Sequence, residues 1–230
     1  MKNKIIYNFI FFSLAVFSFS ACEEDLEIWD SSTLDYSGTF FWELYSEDMS
    51  TKYESYDHDN QILIYNTSDN VANNVWLEDT GFVFPLKSKF YLDGTAESFK
   101  STSDSFDALP NNYVTVEDPD EALPATKPTG LNEEVTVDAS YIRNTILEGK
   151  ILKNAGTTVS GNPVDSLYVK IKLYSGTVTY ESYLLAEELW EDPEVEQFEW
   201  KFKSAVYDNT LDETYIISGH RKTGFAEDDH

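Results

Sequence analysis

Leu167-Tyr-Val-Lys-Ile-Lys-Leu173 decides the fold class of this 230-residue chain, because apolar residues occupy every second position in it. A period of two places alternate side chains on opposite faces of an extended strand, and it is typical of antiparallel sheets that bury one face. The same alternation recurs over residues 82–92 and 198–206. The chain is therefore predicted to be all-β.

Further strand-like segments surround these three and extend the pattern along the chain. Turn residues separate many of them, as in Asp79-Thr80-Gly81, Glu148-Gly149 and Ser175-Gly176. About ten short strands joined by tight turns indicate an antiparallel meander that closes into a barrel or folds into a sandwich. The further segments are residues 36–45, 61–67, 74–79, 141–147, 150–154, 177–184 and 214–218.

Two stretches interrupt the alternation. Residues 101–139 hold four of the seven prolines together with many Ser, Asp and Asn, and they are predicted to form a long irregular insertion. Residues 186–197 are strongly acidic and predict one helical turn or the tip of a hairpin.

The amino terminus has the form of a bacterial lipoprotein signal. Lys2 and Lys4 precede an apolar run, and Ser20-Ala21 lead into Cys22, which is the only cysteine. This pattern predicts a signal peptide over residues 1–21 and a Cys22 that is acylated and anchors the chain in a membrane. A lipidated acidic tether over residues 22–34 and a single domain over residues 35–230 complete the predicted organisation.

The overall composition limits the partners of that domain. Asp and Glu total 42 against 16 Lys and Arg, for a formal net charge of −26, which excludes nucleic acid as a partner. Aromatic residues make up 15% of the chain, which supports a packed core rather than disorder. An acylated Cys22 leaves no thiol for a disulfide or a Cys-ligated zinc site. The acidic segments 56–60 and 118–121 lack the ligand spacing of a calcium-binding EF-hand loop, and we expect no metal site and no cofactor.

Sequence motifs for catalysis are absent: the chain has no nucleophile elbow, zinc-protease motif or phosphate-binding loop. His220 is the candidate general base if the protein is an enzyme. A histidine at the rim of the domain with no catalytic role is the simpler interpretation.

Large aromatic residues on the predicted strands are candidates for lining an apolar ligand cavity in a barrel. They could equally fill a packed interior. These candidate lining residues are Phe40, Trp42, Phe84, Trp200 and Phe202.

The closing residues 215–229 resemble those of the lipid-binding putative hydrolases, a family of Bacteroidota lipoproteins. Five earlier segments are similar in the same order: Tyr36-Ser-Gly-Thr-Phe-Phe41, Ile64-Tyr-Asn-Thr67, Trp76-Leu-Glu-Asp79, Leu86-Lys-Ser-Lys-Phe90 and Val164-Asp-Ser-Leu-Tyr168. The resemblance implies a lipocalin-like, or calycin, β-barrel with an interior that accepts an apolar ligand.

In lipocalins a Gly-x-Trp motif opens the first strand, and a late Arg packs over its Trp. Here Gly38-Thr39-Phe40 places Phe where Trp would stand, Trp42 could substitute for it, and Arg221 is the barrel-closing candidate. The resemblance also implies that Glu23-Glu24-Asp25 directs the lipoprotein to the outer membrane, most simply to the cell surface, although a periplasm-facing position is possible.

Three functional hypotheses follow from the sequence. The main one is a non-catalytic, outer-membrane lipoprotein that binds a lipid or another apolar small molecule inside a barrel. The second is a lipid or ester hydrolase that uses His220, as the family label suggests. The third is a structural or accessory surface lipoprotein that docks an unknown protein partner.

Overall fold

The computed structural model describes residues 31–81, 86–108 and 124–228, and of residues 139–141 only the backbone. In this part of the chain there are ten strands and four 3₁₀ turns, and no α-helix. The turns are Phe106–Ala108, Glu187–Leu189, Asn209–Leu211 and Ala226–Asp228. The strands are β1 (Gly38–Ser46), β2 (Lys52–Glu54), β3 (Gln61–Asn66), β4 (Asn74–Asp79), β5 (Lys87–Thr95), β6 (Ser98–Ser101), β7 (Glu134–Thr157), β8 (Pro163–Leu184), β9 (Phe198–Tyr207) and β10 (Glu213–Arg221).

Eight of the ten described strands form a closed antiparallel barrel in the order β10-β1-β3-β4-β5-β6-β7-β8, because β8 also pairs with β10. Closure satisfies the backbone hydrogen bonds that an open sheet would leave at its edges. β2 pairs with β1, and β9 pairs with β8, outside this circuit. The all-β prediction is confirmed, and between the two architectures that the alternation allowed, the structure is the barrel.

Strands β7 and β8 are far longer than the sequence predicted, with 24 and 22 residues. Two dipeptides that were predicted as turns, Glu148-Gly149 and Ser175-Gly176, lie inside them. Both glycines instead permit a close approach: a Cβ on Gly149 would overlap the Phe99 ring, and one on Gly176 would overlap the Val206 carbonyl oxygen. β7 also begins at Glu134, within the stretch that the sequence predicted to be irregular.

The barrel interior is one continuous apolar cluster to which all eight barrel strands contribute. Strand β8 shows why: Leu167, Val169, Ile171 and Leu173 alternate with exposed or half-buried residues, as its sequence predicted. Their burial supplies the hydrophobic stabilisation of the barrel.

Beyond Leu173, β8 leaves its pairing with β10 and continues with β7 and β9 as a three-stranded extension. Here the opposite face of β8 is buried, with Val178 and Tyr180 in a second, smaller apolar cluster. The acidic stretch 186–197 joins β8 to β9 as a hairpin connection that contains the 3₁₀ turn Glu187–Leu189.

The residues just before β1 pack under the barrel. Thr33 is buried and hydrogen-bonds Ser37, and the Tyr36 hydroxyl donates to the Gly94 carbonyl oxygen at 3.2 Å. Thr33, which precedes the Asp35 boundary expected from the sequence, is thus packed with the barrel. No helix in the described ranges is long and apolar enough to cross a membrane.

Candidate functional site

The first strand of the barrel presents two of the predicted lining residues to the interior. Phe40 and Trp42 are completely buried, and with Leu44 they form the inward-facing row of β1. Phe41 lies between them in sequence and faces outward, where the Lys222 ammonium stands 5.1 Å from its ring centre. The alternation of β1 therefore commits both Phe40 and Trp42 to the interior.

Arg221, the barrel-closing candidate, lies at one end of the barrel, which we call the closed end. Its guanidinium carbon lies 4.8 Å from the Phe40 ring centre, its Nε donates to Asp165 Oδ2 at 3.1 Å, and its Nη1 donates to the Ser37 carbonyl oxygen at 2.6 Å. A Cβ at Gly38 would overlap this guanidinium, so the glycine makes room for it. Arg221, at the end of β10, thus contacts the start of β1 through the Phe40 ring and the Ser37 carbonyl, and the start of β8 through the Asp165 carboxylate.

Three inward-facing polar side chains are fully buried and have no hydrogen-bond partner within the described part of the chain. They are Trp42 through its Nε1, Ser88 through its Oγ, and Asn144 through both amide atoms. Ser88 shares its face of β5 with Phe90, and Asn144 shares its face of β7 with Ile146. Such groups are costly to bury unpaired, about 1–3 kcal/mol each, and so call for a partner.

Ser101 gives the contrast. It also faces inward from β6 and is buried, but its Oγ accepts a hydrogen bond from the backbone N–H of Ile146 at 2.9 Å. A backbone N–H group can therefore hydrogen-bond an inward-facing serine hydroxyl, but the described part of the chain provides no such partner for Ser88.

Charged side chains on the inward side of the described strands lie at strand ends. Arg221 and Asp165 pair at the closed end, and Asp79 ends β4, where its Oδ1 accepts from the Gly81 N–H at 2.9 Å. The other buried inward-facing side chains of the described strands are apolar or neutral. The interior is suited to an uncharged molecule, because a buried ion without a partner is strongly disfavoured.

Two predicted lining residues lie away from the interior. Trp200 and Phe202 are on β9, which is outside the closed circuit, and the Trp200 Nε1 donates to the Thr126 carbonyl oxygen at 2.8 Å. Trp200 packs on the second cluster, and the Phe202 side chain is 44% exposed. This differs from the sequence prediction, because alternation identifies a strand with one buried face but not which core that face joins. Phe84 lies outside the described residues.

Aromatic rings gather beside the extension, on the outer face of the barrel strands. The Phe106 ring stacks on Tyr207 with ring centres 4.2 Å apart, and the Arg143 guanidinium lies 4.3 Å from the Phe106 ring centre. Burial, followed by the nearby charges of Asp104 and Asp212, raises the pKa of Tyr174 to about 12. That phenol stays protonated at neutral pH and serves as a hydrogen-bond donor to the Asp104 carbonyl oxygen.

His220, the candidate base, is buried on the outer face of β10 rather than in the interior. Its ring centre lies 5.8 Å from that of Phe41 and 5.3 Å from that of Tyr56, and its Nδ1 is 3.2 Å from the Arg221 carbonyl oxygen. Ser166 is its cross-strand partner on β8. The histidine thus lies in an aromatic cluster on the side of the barrel wall that faces away from the apolar interior.

Sequence reasoning did not identify Ser88 and Asn144. The sequence carried a signal for their burial alone, since each stands at a position whose strand neighbours of the same parity are apolar. Cys22, the predicted lipidation site, lies outside the described residues.

Comparison with known proteins gives one result for the whole domain. A search of curated proteins finds no match. The family model described as lipid-binding putative hydrolase matches residues 25–226, which is nearly the whole chain. With its closed eight-stranded barrel, the chain belongs to the family of lipid-binding putative hydrolases.

Proposed function

We propose that this protein is a non-catalytic binding protein that holds a lipid or another apolar molecule inside its barrel. The observation that carries the proposal is the single continuous apolar cluster enclosed by eight strands in a member of a lipid-binding family. Burial of ligand surface in such an interior contributes about 25 cal/mol per Å² of apolar area. A long alkyl chain can therefore bind without a charged contact.

The test is native mass spectrometry of the full-length protein purified without added lipid, compared with denaturing mass spectrometry of the same sample. A ligand held in the interior adds mass in the native spectrum and is lost on denaturation, whereas a covalently attached acyl group remains. We expect a native adduct of several hundred daltons, and its absence together with failure to take up added lipid would overturn the proposal.

A matched pair of variants locates that adduct. Val169→Phe enlarges a completely buried inward-facing side chain of β8, and Val206→Phe makes the same change at a 64% exposed position on β9. We expect Val169→Phe to lose the adduct and Val206→Phe to keep it. Both variants are compared at equal folded fraction, measured by circular dichroism, because an enlarged core residue typically costs about 1–3 kcal/mol.

The proposed location is the cell envelope, at the outer membrane, with the barrel tethered through an acylated Cys22. The support is the signal-like sequence ending in Ser20-Ala21-Cys22 and the acidic Glu23-Glu24-Asp25 that follows. Since a single acyl chain binds a bilayer only marginally and two chains bind it stably, this anchoring requires more than one acyl group.

A hydrolase is the second candidate, because the family description includes that activity and Ser166 stands opposite His220 on the neighbouring strand. Against it, the His220 ring packs between Phe41 and Tyr56 on the outer face, away from the apolar interior. The His220→Ala variant separates the two functions: ester hydrolysis by a general base falls by about 10²-fold or more, whereas lipid binding inside the barrel is unaffected.

A further inference from the structure

We propose that the barrel interior contains a built polar site, formed by Trp42, Ser88 and Asn144, which binds the uncharged oxygen-bearing group of an otherwise apolar ligand. The inference rests on the proposed lipid-binding function and names the class of ligand. It rests on the four atoms of these side chains that are buried, face inward and lack a partner in the described part of the chain. Thr67 Oγ1 and Asp212 Oδ1 also lack a partner there, but Thr67 follows the end of β3 and Asp212 precedes β10, so neither is on a barrel strand.

The strand order spreads the three residues around the barrel wall. β5 lies three strands from β1 along the circuit, β7 lies two strands further, and three more steps return to β1. The side chains therefore enter the lumen from three separate directions, and no two of them are on neighbouring strands. Side chains in this arrangement can contact one ligand from three sides, whereas side chains on adjacent strands would be placed to hydrogen-bond one another.

The strand registers also place them at similar depths. The registers advance by about twelve residues in one circuit of the eight strands, which corresponds to a strand tilt of about 45°. At that tilt Trp42 and Ser88 lie at about the same distance from the closed end, and Asn144 lies roughly one inward-facing residue farther from it. The three polar groups thus form one band across the barrel interior, about one inward-facing residue farther from the closed end than the Phe40 ring that Arg221 covers.

The chemistry of the band selects its ligand. The Trp42 indole N–H and the Asn144 amide N–H groups are donors that need an acceptor oxygen, while the Asn144 carbonyl and the Ser88 hydroxyl can accept from a hydroxyl. An ammonium group has no acceptor to offer. A carboxylate would find no cation to pair with among the described inward-facing side chains beyond the Arg221 end, and the inward-facing carboxylate of Asp79 would repel it. The class that remains is a neutral long-chain lipid whose hydroxyl or carbonyl reaches the band.

A matched pair of probes tests this selection: dodecan-1-ol and tridecane, which have nearly the same length and differ by the hydroxyl group. Each is delivered to the full-length protein from cyclodextrin, and binding is measured by competition with a fluorescent lipid. We expect the alcohol to bind at least tenfold more tightly than the alkane, from two or more hydrogen bonds formed in a dry site. Dodecanoate at pH 8 is expected to bind more weakly than the alcohol, because it is ionised.

Three variants of matched shape identify the band: Trp42→Phe, Ser88→Ala and Asn144→Leu. Each is expected to reduce the preference for the alcohol by about threefold to tenfold while leaving alkane binding in place. Each is also expected to raise the thermal stability of the ligand-free protein, because an unpartnered buried polar group is removed. A purely structural role for these residues predicts the opposite change in stability.

Ser101→Ala is the control, because the Ser101 hydroxyl already accepts a backbone hydrogen bond. It is expected to lower thermal stability and leave the alcohol preference unchanged. Equal binding of alcohol and alkane by the wild-type protein would overturn the polar site while sparing the proposed function, and binding of neither would overturn the proposed function itself. A crystal structure of the alcohol complex with only water on the three side chains would also contradict the polar site.

Discussion

At the closed end of the barrel, the Arg221 side chain is held by an aromatic ring, a carboxylate and a backbone carbonyl. Because these contacts join the ends of β1, β8 and β10, we expect Arg221→Met to lower the free energy of unfolding by about 1–3 kcal/mol, measured by urea denaturation. Lys153→Met is the control: its ion pair with Asp35 joins side chains that are 70% and 72% exposed, so its loss is expected to change stability by less than about 0.5 kcal/mol. Equal effects of the two variants would contradict the assigned role of Arg221.

Gly149 lies where β7 passes close to the Phe99 ring of β6. Gly149→Ala places a methyl group against that ring, and we expect a loss of about 1–3 kcal/mol in urea denaturation. Trimming the ring with Phe99→Leu is expected to recover part of the loss in the double variant, which a double-mutant cycle measures as coupling. Additive effects of the two substitutions would show that contact with the Phe99 ring is not the reason why position 149 requires glycine.

At the scale of elements, the carboxyl-terminal 3₁₀ turn is fastened to the β7–β8 hairpin by Asp228. Its carboxylate accepts hydrogen bonds from Ser160 Oγ and, at 2.6 Å, from Thr223 Oγ1, and these bonds lower its pKa from 3.8 to about 2. A carboxyl group whose folded pKa is depressed contributes stability above its unfolded pKa and loses that contribution as the pH falls through the folded pKa.

We therefore expect Asp228→Asn to be less stable than the wild-type protein at pH 6, with the difference shrinking between pH 4 and pH 2, in denaturation series at each pH. The exposed Asp69→Asn, which removes one carboxylate of the same charge, serves as the control. A difference for Asp228→Asn that stays constant from pH 6 to pH 2 would contradict this assignment.

The strands differ in how well the sequence pattern predicted them. Alternation predicted most barrel strands, since a strand with one buried face has a clear period of two, as residues 167–173 do. The continuity of β7 and β8 could not be predicted, because a glycine that admits a neighbouring ring, such as Gly149, looks the same in sequence as a glycine in a turn. The same limit applies to β9: its period was correct, but whether Trp200 faces the barrel or a second cluster depends on long-range pairing.

The candidate site was predictable only in part. Phe40 and Trp42 could be assigned to one face of β1 from spacing alone, and they do lie in the interior. Ser88 and Asn144 could be recognised as site residues only from the closed barrel, in which β5 and β7 enclose the same interior as β1. No local sequence pattern shows whether a buried polar side chain lacks a hydrogen-bond partner, as Ser88 does, or has one, as Ser101 does.

At the scale of the whole molecule, the anchoring proposal predicts where the protein is found. Cys22→Ser removes the acceptor for the acyl groups, so we expect the variant to move from the membrane fraction to the soluble fraction of the cell envelope, followed by immunoblotting. Ser20→Thr, which keeps Cys22, is the comparison and is expected to remain with the membrane. Retention of Cys22→Ser in the membrane fraction would contradict anchoring through this residue.

The central claim is that the enclosed apolar interior holds a lipid-like molecule. The most direct measurement is a crystal structure of the full-length protein with 12-bromododecan-1-ol, located by the anomalous signal of bromine. We expect a bromine peak inside the barrel, among the inward-facing side chains, with the hydroxyl end at Trp42, Ser88 and Asn144. Bromine found only on the outer surface, with Val169, Ile171 and their neighbours filling the lumen by themselves, would contradict it.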